Sequence, residues 1–167
     1  MITLYSCIKT PLGEVLLVSD GKYLTNLMFK GQKHMPRISV EWKQDPKFEV
    51  FLDTDAQLQE YFDGTRKQFD LPMRTTGGTP FQQKVWRAIV KIPYGTTISY
   101  QELAKLAGSA SSVRAVATAA GKNPLSIIIP CHRIVGITGE LSGYSGGIPR
   151  KNSLITLEQR AVSKKSK

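Results

Sequence analysis

MRTTGGTPF, residues 73–81, divides the chain. Two glycines, a proline and three threonines make this stretch a connector rather than a helix or strand. The sequence on its two sides differs in pattern and in charge. Before it, ITLYSCIKT (2–10), EVLLVSD (14–20) and KYLTNLMFK (22–30) are short runs rich in β-branched and aromatic residues. Pro11-Leu12-Gly13 and Asp20-Gly21 punctuate them, the latter a hairpin signal. Residues 31–50 are weakly patterned and predict a loop with a short strand. Thr54 to Tyr61 predicts a helix stopped by Gly64, and FDLP (69–72) could add a strand.

After the connector the pattern is helical. Thr79-Pro80-Phe81-Gln82 has an N-cap threonine, proline at the first helical position and glutamine three residues past the cap. Phe81, Val85, Trp86, Ile89 and Val90 supply the apolar face, and Pro93 and Gly95 stop the helix. Ser99-Tyr100-Gln101-Glu102 reads as a second capping box, for a short helix ending at Gly108. Ser111 or Ser112 caps a third, VRAVATAAGK (113–122). Two short helices about a glycine-containing turn have the form of a helix-turn-helix, a weak signal alone. The fold class expected is α+β in two domains: residues 1–77 a small β-sheet domain with a helix, and residues 78–160 mostly helical. Residues 161–167 read as a disordered basic tail.

The charge divides at the same place. Residues 1–80 hold ten Lys/Arg and ten Asp/Glu; residues 81–167 hold thirteen and three, so all of the net +10 lies in the second half. A basic half joined to a neutral one suggests that the second half meets a polyanion. General solubility is the plainer alternative. No apolar run approaches the ~20 residues that span a bilayer, and the first residues lack the pattern of a signal peptide. A cytoplasmic address and no membrane partner are expected. Two cysteines and two histidines lie at unrelated spacings, so no metal site is expected.

SIIIPCHRIVG, residues 126–136, carries the chemistry. Ile127, Ile128 and Ile129 predict a buried strand, and Pro130 ends it. His132 and Arg133 follow Cys131 directly. Basic neighbours favour the thiolate, and a histidine can take the thiol proton. An inert buried cysteine is the alternative. Cys7, in an alternating strand, reads as structural. The third helix surrounds Arg114 with Ala115, Ala117, Thr118, Ala119 and Ala120. It has few long polar side chains for reading base edges, so any DNA binding there would rest on shape and backbone.

PCHRIVG (130–136) followed by GYSGG (143–147) strongly resembles the O6-alkylguanine-DNA alkyltransferase family. GTPFQQKVW (78–86), IPYGTTISYQELA (92–104), RAV (114–116) and KNP (122–124) extend the resemblance over residues 78–158, and TPLG (10–13) extends it loosely into the first half. The resemblance implies a ribonuclease-H-like first domain and a DNA-binding second domain. It implies a methylated-DNA–protein-cysteine methyltransferase that takes the alkyl group of O6-alkylguanine, with O4-alkylthymine a possible second substrate. The damaged base is flipped out of duplex DNA. Cys131 is the implied acceptor, His132 takes its proton through water, and Glu158 orients His132. Tyr100 donates to the departing guanine, and Asn123 braces the turn beside the cysteine. Arg114 fills the gap in the stack, with Ser99, Tyr100, Ala115, Ala117 and Thr118 at the DNA. Ile134, Tyr144, Ser145 and Gly146 line the base pocket. No cofactor is implied. A monomer is expected, acting on DNA singly or cooperatively.

The chain departs from the family at Ala117, usually glycine, which bears on DNA affinity rather than chemistry. A thioether is a poor leaving group, so one alkyl group per molecule is expected. The rival readings are a non-catalytic lesion binder, which lacks the cysteine; a sequence-specific regulator, which the small-residue helix disfavours; and a Cys–His hydrolase, which would turn over.

Overall fold

The structure, a computed structural model, describes residues 2–165, with nothing described for the side chain of Lys165. The chain forms two compact units. The first comprises Met1–Thr76 with Pro124–Ser126, and the second Gly77–Asn123 with Ile127–Lys167.

In the first unit, strands β1 (Leu4–Thr10), β2 (Gly13–Ser19) and β3 (Leu24–Phe29) form an antiparallel meander. β4 (Lys43–Gln44) adds to β1 in parallel, giving the order β3-β2-β1-β4. Local chemistry sets both turns. Thr10 Oγ1 donates to Gly13 O at 2.6 Å, and Asp20 Oδ1 accepts from the backbone N–H groups of Lys22 and Tyr23. Central β2 buries Val15 to Ser19 without a break. Helix α1 (Glu49–Phe62) buries Val50, Phe51, Thr54, Leu58 and Tyr61, one stripe at helical spacing.

Two readings of this unit need correction. The helix starts five residues before Thr54, because its N-cap, Phe48, makes no side-chain cap bond and leaves no local signal. FDLP is not a strand. Pairing falls instead on Leu24 with Met73, through Leu24 N to Pro72 O (2.7 Å) and Arg74 N to Leu24 O (3.0 Å). The unit also holds a segment remote in sequence: Leu27 N donates to Pro124 O and Leu27 O accepts from Ser126 N, both at 2.9 Å.

The second unit contains α2 (Pro80–Val90), α3 (Tyr100–Leu106), α4 (Val113–Gly121) and α5 (Ile148–Lys165), with a two-residue parallel pair, β5 (Ile98–Ser99) and β6 (Ile134–Val135). The capping box of α2 is complete: Thr79 and Gln82 each bond the other's backbone N–H. Val90, expected on the apolar face, is exposed. The α3 box is half made, since Ser99 accepts from Glu102 N while the return bond to the Ser99 backbone is not formed. Ser112 holds the N-cap position of α4 without a side-chain bond. α2 packs on α3 and α4, and Trp86 Nε1 donates to Ala119 O at 2.9 Å.

The isoleucine run is not a strand. Ile127–Ile129 form a buried turn, and Cys131–Arg133 a single 3₁₀ turn. Ile127 adopts φ +71°, a left-handed conformation rare for a β-branched residue. The apolar run does report burial, but periodicity cannot separate a buried strand from other buried backbone. The turn closes because Asn123 Nδ2 donates to Ile129 O at 2.7 Å, which an extended run could not allow. The expected disordered tail is also corrected. α5 continues through residues 161–165 and buries Ala161, while residues 166–167 lie outside those described.

Candidate active site

Cys131 opens the 3₁₀ turn, 9 % exposed. Asn123 Nδ2 donates to its Sγ at 3.2 Å as well as to Ile129 O. One side-chain amide therefore ties the nucleophile to the turn that precedes it. Burial raises the Cys131 thiol above its ordinary range, and the Asn123 bond and the Lys151 charge only partly oppose this. At neutral pH the group at rest is the thiol. The expectation that neighbouring His132 and Arg133 hold it as thiolate is corrected. The Arg133 guanidinium is bonded to Glu158 and Ile92 O, and the cation acting on Cys131 is Lys151.

His132 is fully buried, with Nε2 2.6 Å from Glu158 Oε2. Burial lowers its pKa against the pull of Glu158, with Arg133 and Lys151 adding to the lowering, so the ring is neutral. Burial would raise Glu158, but His132 and Arg133 outweigh it and bring its carboxyl down to about 2. With His132 neutral, the permanent charge holding Glu158 ionised is that of Arg133. A carboxylate only accepts, so the shared proton sits on Nε2. Nδ1 then carries a lone pair, and it is buried with no hydrogen-bond partner among the described residues. A neutral imidazole with a lone pair on Nδ1, next in the chain to a buried thiol, can accept a proton.

The buried face of α5 supplies both charges. Lys151, Leu154, Glu158 and Ala161 follow one another at helical spacing and are all buried. The sequence pattern points to Glu158 and misses Lys151, although it lies seven residues earlier on the same stripe. Lys151 Nζ donates to Ser142 O at 2.7 Å and lies 5.7 Å from the centre of the Tyr100 ring. Burial brings its pKa down to about 8, with the Cys131 charge opposing. Sequence position marks Arg133 only as a neighbour of Cys131.

β5–β6 pairing aligns Ile98 with Ile134 and Ser99 with Val135, so the chain leaving Cys131 runs beside the N-terminus of α3. Ser99 caps that helix and Tyr100 begins it. The Tyr100 hydroxyl donates toward Ser142 O and Gly143 O, each at 3.1 Å. Burial, and then the Cys131 charge, raise its pKa, so it is a donor at neutral pH. Ser145 Oγ donates to Gly121 O, tying the 142–147 loop to the end of α4. Tyr144 and Ser145 are half-buried, and Gly146 and Ile134 are buried.

Arg114, Ala115 and Thr118 are exposed on α4, and Ala117 is half-buried. Thr118 Oγ1 donates to Arg114 O at 3.0 Å, which turns its hydroxyl back onto the helix. Asn123 thus bonds Cys131, Glu158 bonds His132 of the same turn, and Tyr100 shares the Ser142 carbonyl with Lys151. Arg114, Ala115, Ala117 and Thr118 sit on the adjoining helix surface. No helix among the described residues is long and apolar enough to cross a membrane.

Two family models match in tandem. Residues 3–75 match the ribonuclease-like domain of 6-O-methylguanine DNA methyltransferase, and residues 80–160 its DNA-binding domain. A methylated-DNA–protein-cysteine methyltransferase of Mycobacterium bovis is 43 % identical, covering 93 % of this chain and 92 % of its own. The protein of that name from Methanosarcina barkeri is 42 % identical, covering 93 % and 96 %. The crystal structure of Mycobacterium tuberculosis OGT in complex with DNA superimposes with a TM-score of 0.87 at 42 % identity, covering 95 % of this chain and 94 % of that one. A buried Cys-His-Arg turn wired to a helix carboxylate, on a chain matched almost end to end, places this protein in the 6-O-methylguanine DNA methyltransferase family.

Proposed function

We propose that this chain reverses alkylation damage in duplex DNA, moving the alkyl group of O6-alkylguanine onto Cys131 once per molecule. The observation that carries this reading is the Cys131 thiol held at 3.2 Å by Asn123 beside the buried His132–Glu158 pair, in a chain of this family. Residues 78–160 are the alkyltransferase and DNA-binding part. Residues 1–77 form the accompanying α/β domain.

The lesion lies inside the stack, so the nucleotide must leave it to meet a buried sulfur. Arg114 projects from the methyl-rich face of α4 and fills the gap. Ser99, Tyr100, Ala115, Ala117 and Thr118 lie along the backbone, and the basic half supplies the sequence-independent attraction. Ile134, Tyr144, Ser145 and Gly146 wall the base. His132 Nδ1 takes the thiol proton through a water, and the thiolate attacks the alkyl carbon. The S–C bond forms as the O6–C bond breaks. The electron pair passes to the guanine, where the Tyr100 hydroxyl donates to the developing charge. The guanine takes a proton from water and His132 releases one, so the balance closes. The thioether persists, and no cofactor takes part. The protein acts as a monomer on DNA, in the cytoplasm.

Intact and peptide mass after incubation with an O6-methylguanine duplex test this reading. One methyl group at Cys131, with unmodified guanine restored, is the expected result. An unmodified Cys131 with the lesion still in place overturns it, as does turnover beyond one equivalent.

A further inference from the structure

We propose that Arg133 is a positioning residue for the transfer: its bidentate grip on Glu158 fixes the proton of His132 on Nε2 and leaves the Nδ1 lone pair available as the proton acceptor. The proposal rests on the alkyltransferase reading, in which His132 Nδ1 is the proton acceptor.

The geometry is that of a built hub. Arg133 Nε donates to Glu158 Oε1 at 2.8 Å and Nη2 to Glu158 Oε2 at 3.1 Å. Nη1 donates to Ile92 O at 2.7 Å, and the guanidinium lies 5.5 Å from the centre of the Tyr94 ring. Both Glu158 oxygens take a further bond, Oε1 from Gly95 N at 3.2 Å and Oε2 from His132 Nε2. Arg133 is 7 % exposed and Glu158 1 %. A planar fork meets a carboxylate in two parallel bonds, which locks the rotation of both groups.

The electrostatic consequence concerns His132. Glu158 alone, buried against the ring, would draw a second proton onto it and fill Nδ1. Arg133 cancels that charge. The other charged groups bearing on the ring are Lys151 and Glu158 from α5, and Cys131 precedes it in its own turn. Tyr94, from the segment after α2, stands over Arg133. Lys151 also opposes ring protonation, but its ammonium is committed to Ser142 O and its charge acts on Cys131. The Arg133 fork both neutralises Glu158 and aims it.

R133Q should then shift the transfer rate along the pH axis rather than lower it evenly. For a rise of ~2 in the His132 pKa, the deficit grows toward roughly 100-fold as pH falls below both pKa values and closes once pH passes the raised value. R133K, which keeps the charge without the fork, should recover part of the pH profile. Removing one member of a buried pair weakens a fold, so R133Q/E158Q, which leaves neither charge unpaired, is measured beside it. Its pH profile should return toward that of wild type, with a lower plateau.

A second readout needs no transfer at all. The chain has two histidines, and His34 is exposed. Nitrogen NMR of histidine-labelled protein at pH 7 should show His132 protonated on Nε2 alone in wild type and on both nitrogens in R133Q. A pH-independent loss of rate in R133Q, a neutral His132 in that variant, or a wild-type proton on Nδ1 would each overturn the proposal. Failure of wild type to accept an alkyl group would instead sink the functional reading and leave the NMR result standing.

Discussion

The chain's two thiols sit in contrasting surroundings. Cys7 lies half-buried in β1, paired in register with Leu16 and near the Lys30–Glu14 ion pair. Cys131 lies in a one-turn 3₁₀ segment next to a left-handed isoleucine turn. Both have raised pKa values, and burial is the largest cause in each. Acidity at rest therefore does not separate them. What separates them is what stands ready around the sulfur. Cys131 has a donor fixed on Sγ, a buried cation in Lys151, and a neutral imidazole in the same turn. Cys7 has regular backbone and an exposed ion pair whose carboxylate is a far weaker base than imidazole.

The largest expected effect tests that contrast directly. C131S should abolish alkyl uptake, while C7S should keep both its rate and its thermal midpoint. Loss of transfer in C7S, measured by peptide mass, would break the comparison.

A smaller effect concerns how the Cys131 side is held together. The folded pKa of Glu158 is about 2, below its ordinary 4.5. Its contribution to stability is therefore present above pH 4.5 and lost as pH falls toward 2, on the order of 3 kcal/mol in full. Urea midpoints taken between pH 7 and pH 3 should fall for wild type and stay flatter for E158Q. E158Q itself starts lower at pH 7, because Arg133 keeps only Ile92 O and a neutral amide. Parallel curves for the two proteins would place the acid sensitivity elsewhere.

The smallest effect isolates the brace. N123A leaves Ile129 O and the Cys131 sulfur without their donor, which should cost about 1–3 kcal/mol. Transfer should slow roughly ten- to hundredfold through misplacement of the sulfur. Retention of the wild-type rate in a destabilised N123A would reduce Asn123 to a fold residue and bring the two thiols closer in kind.

Much of this is legible in the chain because the signals are local. Thr79-Pro80 and Gln82 begin α2 by contacts three residues apart, and Asp20-Gly21 makes its turn unaided. The charge step near residue 80 and the Pro-Cys-His-Arg sequence need no structure. α1 begins earlier than its pattern predicts because Phe48 gives no capping signal. The isoleucine run misleads because an apolar run reports burial and not direction. Its turn is set by Asn123, whose bonds to Ile129 and Cys131 form only when the chain folds back.

The sequence by itself determined a sheet-bearing first half, a basic helical second half and a cysteine with an imidazole beside it. Only the tertiary structure decided where the charges go. Arg133, adjacent to the Cys131–His132 pair in sequence, turns to Glu158 on α5, while Lys151, twenty residues away, acts on the thiol. The physical reason is that burial makes every charge seek a partner. Partners are chosen by the packing of α5 against the 3₁₀ turn, not by distance along the chain.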